Sequence, residues 1–263
     1  MTEDQVLVDV TDAVATITLN RPDARNAISA DVADGIVAAV ETAEDSEARC
    51  VVVEGAGGAF CAGGDIDAML EGIDQEVSPA ERVELVVSAV NRAIRRVYEC
   101  RLPTVAKLDG PAFGAGAGLA IACDLQLASP EARIGFGFRR VGLAVDSGVS
   151  YLLPRLVGLN TAKELLFTGE LVDADRAREL GLFTRVFESS SFEEGVGNVV
   201  ETIAAGPTIA LSASKRLLNH QSESFDAATA REANAQGVAF STEDHEEGAR
   251  AFVEGREPDF EGR

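Results

Sequence analysis

The chain of 263 residues has no tryptophan, two histidines and only three lysines, so its positive charge comes almost entirely from arginine. Lysine and arginine together number 23 against 44 aspartates and glutamates, which gives a formal net charge of −21. Nucleic acids and anionic membranes are bound through clustered basic side chains, and this balance argues against both as partners. An acidic, lysine-poor chain is typical of proteins that work in high salt, where screening relieves self-repulsion. We therefore expect a halophilic protein.

Long hydrophobic runs are also absent, and none approaches the roughly 20 residues that a membrane-spanning helix needs. The amino-terminal stretch 1–10 is acidic where a signal peptide is basic, and it predicts a cytoplasmic protein. The cysteines, at positions 50, 61, 100 and 123, form no CxxC pair and no Cys/His cluster. This spacing predicts neither a metal site nor a disulfide framework. Cys61 and Cys123 have small and apolar neighbours, which predicts buried thiols at these two positions.

Alternating apolar strands and helices in the first two thirds of the chain predict a parallel sheet with crossover helices. Strands are expected at 6–10, 14–19, 50–53, 104–108, 125–128, 133–135 and 184–187, the first two as a hairpin. Ser29 or Asp31 is expected to cap the first long helix. Residues 71–80 are predicted to form a loop and residues 80–100 one amphipathic helix.

Near Ser189 the alternation of strands and helices gives way to a mostly helical pattern. This change separates a mixed α/β core, residues 1–190, from a helical part, residues 191–263. We expect the helical part to act as a lid or an oligomer interface.

Two Gly-rich turns each follow a predicted strand and lead into a helix. The first contains Gly64, and the second, Gly114–Gly118, alternates glycine with alanine. Small residues let another group approach the backbone, and the first N–H groups of a helix are unpaired and electropositive. Either turn alone also fits a helix packed tightly on a strand. Two such turns on neighbouring strands can direct two N–H groups at one oxygen and stabilise developing negative charge.

At these turns the sequence resembles the crotonase superfamily, the enoyl-CoA hydratases and isomerases. The resemblance includes the FxAGxD element at Phe60–Asp65, the segment Asp109–Gly116, the loop Leu19–Ala27, Leu153–Gly158 and the terminal segment Glu247–Arg263. It covers nearly the whole chain. It implies an α/β fold built as a spiral of ββα units with a helical carboxyl-terminal part, assembled as a homotrimer or a dimer of trimers.

The resemblance further implies an acyl-CoA thioester substrate, with coenzyme A as part of that substrate and no metal or redox cofactor. The matching positions for the two amides that polarise the thioester carbonyl are Gly64 and Ala115. Alanine replaces the family's usual glycine there but keeps the N–H. The other positions expected to contact the acyl-CoA are Arg25, Asn26, Ala27, Ala62, Asp65, Ile66, Gly114 and Phe138. Arg25 suits the CoA phosphates, although a solvated surface arginine is an equal alternative.

The sequence departs from the hydratases where they carry two catalytic glutamates, because the matching positions here are Gly118 and Phe138. Neither residue can move a proton, so ordinary hydration of a trans-2-enoyl-CoA is not expected. The stretch Val141–Gly158 looks like the branch containing the 1,2-epoxyphenylacetyl-CoA isomerases, in which an aspartate at the position of Asp146 shuttles the proton. The preceding apolar residues predict a desolvated carboxyl group with a raised pKa. A helix N-cap is the alternative role for Asp146.

The favoured activity is therefore double-bond isomerisation by an aspartate proton shuttle. A hydratase with a non-standard acid or base and a non-catalytic acyl-CoA-binding protein stay open as alternatives. Dehalogenation of the 4-chlorobenzoyl-CoA type is disfavoured because that chemistry needs a tryptophan and a nearby histidine. Both histidines, His220 and His245, belong to the predicted carboxyl-terminal helices. A Ser-His-Asp hydrolase is disfavoured because the stretch around Asp146 lacks a GxSxG motif.

Overall fold

In the computed structural model, which describes residues 4–220 and 224–263, strands follow the apolar segments of the first two thirds of the chain. In chain order they are β1 (Val6–Thr11), β2 (Val14–Leu19), β3 (Cys50–Gly55), β4 (Thr104–Leu108), β5 (Pro111–Phe113), β6 (Leu125–Ala128), β7 (Arg133–Gly135), β8 (Leu171–Asp173) and β9 (Arg185–Val186).

Six of these strands form one sheet in the order β1-β2-β3-β4-β6-β9. β1 and β2 pair antiparallel as a hairpin, and each later pair of neighbours is parallel. The predicted parallel sheet with its leading hairpin is therefore confirmed. β5, β7 and β8 form a second sheet, in which β8 is antiparallel to β7. The sequence did not predict β5 or β8, each of which is held by pairing with β7.

Helices connect and cover the strands. They are α1 (Ala30–Glu44), α2 (Ile66–Asp74), α3 (Pro79–Leu85), α4 (Arg92–Tyr98), α5 (Ala115–Ala122), α6 (Val149–Val157), α7 (Leu159–Thr168), α8 (Ala174–Glu179), α9 (Phe192–Ala204), α10 (Thr208–Asn219), α11 (Phe225–Ala239) and α12 (Glu243–Glu254). Ser29 caps α1, and its side chain accepts a hydrogen bond from the amide of Val32. Of the two predicted caps, Ser29 is thus confirmed.

The segment between α2 and α4 differs from the prediction in two respects. The loop expected at 71–80 begins later, because α2 continues to Asp74 from its cap at Asp65. The single helix expected over 80–100 consists of α3, a π-helical segment at Val86–Asn91 and α4.

The apolar face predicted for this helix is buried in its second half. Val83 and Val87 are exposed, whereas Ile94 and Val97 in α4 lie in the core. The 3.6-residue spacing therefore predicts a helix correctly, but it does not show which part of the apolar face is covered.

Both faces of the six-stranded sheet carry core residues. On one face lies a large cluster that includes Phe60 and Leu119, both fully buried. On the other face, Val52 packs in a second cluster with Phe192 of α9. The helical part predicted for residues 191–263 thus begins in contact with the sheet, and the division of the chain at residue 190 stays a prediction.

Cys61 and Cys123 are buried, as the sequence predicts, and Cys50 and Cys100 are buried as well. Burial raises the pKa of Cys50 and Cys61 to about 12, so these thiols stay protonated at neutral pH. Among the described residues, no helix has the length and apolar composition needed to cross a bilayer. The first three residues of the acidic stretch behind the cytoplasmic prediction lie outside the described ranges.

Candidate active site

The two Gly-rich turns lie directly against each other. Cys61 pairs in parallel with β5, and the amide of Phe113 donates to the carbonyl of Cys61 at 2.9 Å. A Cβ atom on Gly63 would lie 2.6 Å from the carbonyl oxygen of Phe113 and 3.3 Å from the amide nitrogen of Ala115. Gly63 also has a φ of +98°, which favours glycine. A side chain on the residue before Gly64 would therefore crowd the amide that the sequence predicts as the partner of Gly64.

The amides of Gly64 and Ala115 are not used by the fold. Neither donates a hydrogen bond to any residue in the described ranges 4–220 and 224–263. Ala115 is the first residue of α5, where N–H groups lack partners within the helix and the helix dipole is positive. Gly114 precedes it with φ +55° and ψ −120°, a conformation that a side chain would strain. Because every residue of α5 is buried, little water competes for its amino-terminal amide.

Asp146 lies in the loop before α6, and it is half-buried. Its Oδ1 accepts a hydrogen bond from the Oγ of Ser147 at 2.6 Å. The N-cap of α6 is Gly148, whose position is capped by no side chain among the described residues. Asp146 contributes its backbone carbonyl, which accepts from the amide of Val149. The carboxylate therefore does not act as the helix cap that the sequence also allowed.

Burial raises the pKa of the Asp146 carboxyl above its ordinary value, and the hydrogen bond from Ser147 opposes that rise. The predicted direction is confirmed, but the predicted cause holds only in part. Leu143, in the apolar stretch before Asp146, is 49% exposed, although Val145 packs partly against the core. The burial of Asp146 comes instead from the carboxyl-terminal side of its loop, where Ser147 is buried.

Ser147 fills the space beside Gly118 in α5. A Cβ on Gly118 would lie 2.8 Å from the Cβ of Ser147 and 2.9 Å from its carbonyl oxygen, closer than packed side chains approach. Gly118 is three residues along α5 from Ala115, a rise of about 4.5 Å. The Asp146 loop is thereby held beside the same end of α5 as the unpaired amide of Ala115.

Phe138, the other position that carries a glutamate in hydratases, is buried in the short 3-10 helix Gly137–Val141. Its carbonyl accepts a hydrogen bond from the amide of Leu143 at 3.0 Å, which links it to the Asp146 loop. Neither Phe138 nor Gly118 offers a carboxylate, so Asp146, the neighbour of Ser147, is the candidate acid.

Asn26, expected to lie along the coenzyme A moiety, is engaged by the protein itself. Its buried amide group donates to the carbonyls of Ala56 and Ala59 at 2.9 and 2.8 Å. Its Oδ1 accepts from the backbone amide of Arg21. The side chain of Asn26 holds the loop together. The backbone amides of Asn26 and Ala27 donate to the carbonyls of Arg21 and Ala24, so both residues support the loop from within the protein.

Arg25 differs from Asn26 because its guanidinium is exposed and makes no ion pair or hydrogen bond with any residue that the structure describes. Its carbonyl accepts from the amide of Ala62 at 2.9 Å, which ties this loop to the first Gly-rich turn. Asp65 caps α2 through Oδ1 and pairs through Oδ2 with Arg21 at 2.9 Å. Partial burial would raise the pKa of Asp65, but these contacts outweigh it and lower the pKa. Ile66, the first residue of α2, is exposed.

Sequence reasoning gave no role to Asn91, which contacts the Asp146 loop. Its Oδ1 accepts a hydrogen bond from the backbone amide of Ser147 at 3.0 Å, across 56 positions of sequence. Asn91 is the last residue of the π-helical segment. Neither a π-helical turn nor so distant a contact has a signature in hydrophobic spacing.

A surface groove of about 660 Å³ lies elsewhere, between the β1–β2 turn and α9. It is lined by Arg49, whose guanidinium is already bound to Thr208 and to the carbonyls of Gly206 and Phe260. No predicted site residue lines this groove, so the candidate active site is the region around Ala115 and Asp146.

Comparison with known proteins identifies the family of the chain. The family model described as enoyl-CoA hydratase/isomerase matches residues 9–263. The chain is 34% identical to the short-chain-enoyl-CoA hydratase of Clostridium acetobutylicum, with 95% of each chain covered. It is 30% identical to the 1,2-epoxyphenylacetyl-CoA isomerase of Escherichia coli, with 98% of each chain covered. An enoyl-CoA hydratase crystal structure from Mycobacterium smegmatis matches with a TM-score of 0.90 and 32% identity, covering 98% of this chain and 99% of that one.

Proposed function

The chain belongs to the enoyl-CoA hydratase/isomerase family and has the crotonase fold, and from that premise we propose that it moves a double bond within an unsaturated acyl-CoA thioester. The amides of Gly64 and Ala115 bind the thioester oxygen. Asp146 takes a proton from an activated carbon of a 3-enoyl-CoA and returns it two carbons away. The carboxyl group ends the cycle in the state in which it began, and coenzyme A takes part only as the carrier of the substrate.

The unpaired amides support the first part of this proposal. Removing a proton next to a thioester carbonyl places negative charge on the carbonyl oxygen. Two donors that are fixed before the reaction stabilise this charge, and loss of one such donor typically lowers the rate about 100–1000-fold. The close packing of the two turns at Gly63 fits this requirement. So does the absence of partners for both N–H groups among the described residues.

The observation that carries the choice of isomerisation is the packing of Ser147 on Gly118. This contact fills the place of one hydratase glutamate and sets Asp146 beside α5, while Phe138 replaces the other. Hydration needs one group to activate water and an acid to protonate the α-carbon, whereas a double-bond shift needs one group that accepts and returns a proton. A single carboxyl whose pKa is raised by burial suits the second task.

Charge supports coenzyme A binding at the loop of Arg25. In a chain with a net charge of −21, the exposed guanidinium of Arg25 has no partner among the described residues, so it is available to phosphate. The backbone of Ala62, Asp65 and Ile66 holds the adenine in this proposal. The hydrogen bond from Ala62 to the carbonyl of Arg25 connects the two regions.

Asp146→Ala tests the proposal. We expect double-bond migration in a 3-enoyl-CoA to fall by at least about 100-fold, while calorimetry shows nearly unchanged binding of a saturated acyl-CoA. Asp175→Ala removes an acidic residue from the exposed first turn of α8 and serves as the control with full activity. Undiminished turnover in Asp146→Ala would remove Asp146 from the mechanism. A panel of chain lengths and ring-containing thioesters, analysed by mass and isomer, identifies the acyl group.

Hydration is the second candidate, because the relative from Clostridium acetobutylicum is described as a short-chain-enoyl-CoA hydratase. Water addition to crotonyl-CoA, followed by the absorbance of the conjugated thioester, distinguishes it from isomerisation. A non-catalytic acyl-CoA-binding protein would bind the thioester tightly without exchanging its α- or γ-protons in heavy water.

The carboxyl-terminal helices support assembly with further copies of the chain. Leu218, Phe225, Phe240 and Phe252 are between 60% and 88% exposed, which is unusual for large apolar side chains on one region of a monomer. We propose that residues 191–263 form the interface of a homotrimer or a dimer of trimers. Sedimentation equilibrium tests this, and a monomer at all concentrations would contradict it.

A further inference from the structure

The residue after Asp146 is held by contacts that the proposed mechanism does not itself use. Ser147 is buried, its φ is +57°, and its hydroxyl donates to Oδ1 of Asp146 at 2.6 Å. The left-handed region is uncommon for a residue other than glycine, so surrounding contacts must keep Ser147 there. Its Cβ and carbonyl lie against Gly118. Its amide donates to Oδ1 of Asn91 at 3.0 Å.

Asn91 reaches this loop from the π-helical segment Val86–Asn91. The wider turn of a π-helix moves side chains out of the register of a continuous α-helix, and such segments are frequent at functional sites. The next turn is anchored, because Ala93 and Ile94 of α4 are buried in the core. Asn91 therefore contacts the loop from a helix that is anchored in the core.

We propose that Asn91 and Ser147 are positioning residues for the proton shuttle, in which Asn91 fixes the backbone of Ser147 and the Ser147 hydroxyl orients the Asp146 carboxylate. This inference rests on the proposed function of Asp146. The hydroxyl holds Oδ1, whereas Oδ2 accepts no hydrogen bond from a described residue. Oδ2 is thus the oxygen that exchanges the proton with the substrate.

The two positioning residues have different measurable effects. The Ser147 hydroxyl stabilises the charged form of Asp146 and burial opposes it, and no charged side chain of the described residues adds to these two effects. Loss of the hydroxyl therefore raises the pKa of Asp146 further, because the charged form loses a hydrogen bond. Loss of the Asn91 acceptor frees the loop that carries Asp146. A displacement of the Asp146 carboxylate by about 1 Å lowers kcat by about 10–100-fold. KM changes little, because the proposed contacts with coenzyme A lie in the loop of Arg25 and the turn of Gly64.

The Ser147 variants test the hydroxyl through the pH dependence of kcat/KM for double-bond migration. Ser147→Ala removes the hydroxyl, and Ser147→Gly removes it while suiting the left-handed backbone, so that variant folds without strain. We expect the acid limb of both profiles to move to higher pH. Ser150→Ala, an exposed serine of α6, is the matched control with an unmoved limb.

The Asn91 variants test the backbone contact. Asn91→Ala is expected to lower kcat with KM nearly unchanged. Asn91→Asp keeps an acceptor at the same atom, so it should recover most of that loss at pH values well above the acid limb. Ser88→Ala, an exposed position in the same π-helical segment, is the control with unchanged kcat.

Asp146→Asn, measured in parallel, distinguishes a failure of the role proposed for Asp146 from a failure of the roles proposed for Ser147 and Asn91. If this variant still isomerises the substrate, Asp146 is not the proton shuttle and both positioning roles fail. If the wild-type protein itself does not isomerise a 3-enoyl-CoA, the proposed function fails. If it is inactive while both Ser147 variants leave the acid limb unmoved, the role of Ser147 alone is refuted. If folded Asn91→Asp is no better than Asn91→Ala, Asn91 has a structural role and does not position the shuttle.

Discussion

Replacing Gly118 with glutamate tests why this chain lacks the carboxylates of the hydratases. The substitution restores the residue type that hydratases carry at this position. If the missing glutamate were the main obstacle, the variant would gain some hydratase activity. The structure predicts the opposite, because the first side-chain carbon already meets Ser147.

The magnitude follows from the contacts. The added Cβ would lie 2.8 Å from the Cβ of Ser147, 2.9 Å from its carbonyl oxygen and 3.3 Å from Cγ2 of Val149. Because one contact is with backbone, rotation of a side chain cannot relieve it, and the loop must move. Overpacking of this kind costs about 1–3 kcal/mol, against a gain of at most about 1 kcal/mol from replacing a helical glycine. With the whole gain subtracted, the net loss is at most about 2 kcal/mol, which lowers the melting temperature by up to about 8 °C in a chain of this size.

The assay compares Gly118→Glu with wild type for double-bond migration, for water addition to crotonyl-CoA and for thermal unfolding. We expect isomerisation to fall by about 100-fold, because Asp146 moves with Ser147, and we expect no gain of hydration. Gly197→Glu is the matched control, because a Cβ at this exposed position in α9 meets nothing within 4 Å. Water addition gained at unchanged stability would refute the conclusion that Ser147 excludes a side chain from position 118.

Three further predictions concern Asp146, the surface charge and a buried ion pair. Because burial raises the native pKa of Asp146, its ionisation destabilises the fold as pH rises through that pKa. Asp146→Asn should therefore melt above wild type at neutral pH, with the difference lost below about pH 4, as calorimetry at both pH values would show. With a net charge of −21, the protein should melt at a lower temperature in tens of millimolar salt than in molar salt, and an unchanged value would contradict the halophilic prediction. Lys215, buried in α10, pairs with Asp124 at 2.7 Å. Because Lys215→Met leaves the Asp124 carboxylate without this partner, we expect it to lower the free energy of unfolding, measured in urea, by about 3 kcal/mol. Lys163→Met, at an exposed position, is the control and should change that free energy by less than about 0.5 kcal/mol.

The parts of the fold that follow local patterns were predictable. Alternation of apolar residues predicts the β1–β2 hairpin, and Ser29 before an apolar period predicts the start of α1. The short strands β5 and β8 were not predictable, because their pairing comes from the neighbouring strand β7 and not from their own composition. The π-helical segment was missed for a related reason, since an extra residue in one turn barely alters the spacing of apolar residues.

The candidate site also has features that the sequence predicts and features that it does not. The Gly-rich turns and the missing carboxylates at Gly118 and Phe138 are visible in the sequence, because each depends on residue type at one position. The roles of Asn26 and Asn91 depend on partners distant in the chain, and the sequence does not indicate them. Asn26 was predicted along the coenzyme A moiety, yet its side chain is consumed by the carbonyls of Ala56 and Ala59.

The loop that carries Ser147 explains why position 118 has no side chain. A Cβ there would meet the carbonyl oxygen of Ser147 as closely as its side chain, so the path of the loop, and not the identity of residue 147, closes the position. That path depends on the left-handed backbone of Ser147 and on the acceptor that Asn91 supplies. The proposed difference from a hydratase therefore lies in the backbone that carries Asp146. A single substitution at position 118 cannot reverse it while that backbone keeps its course.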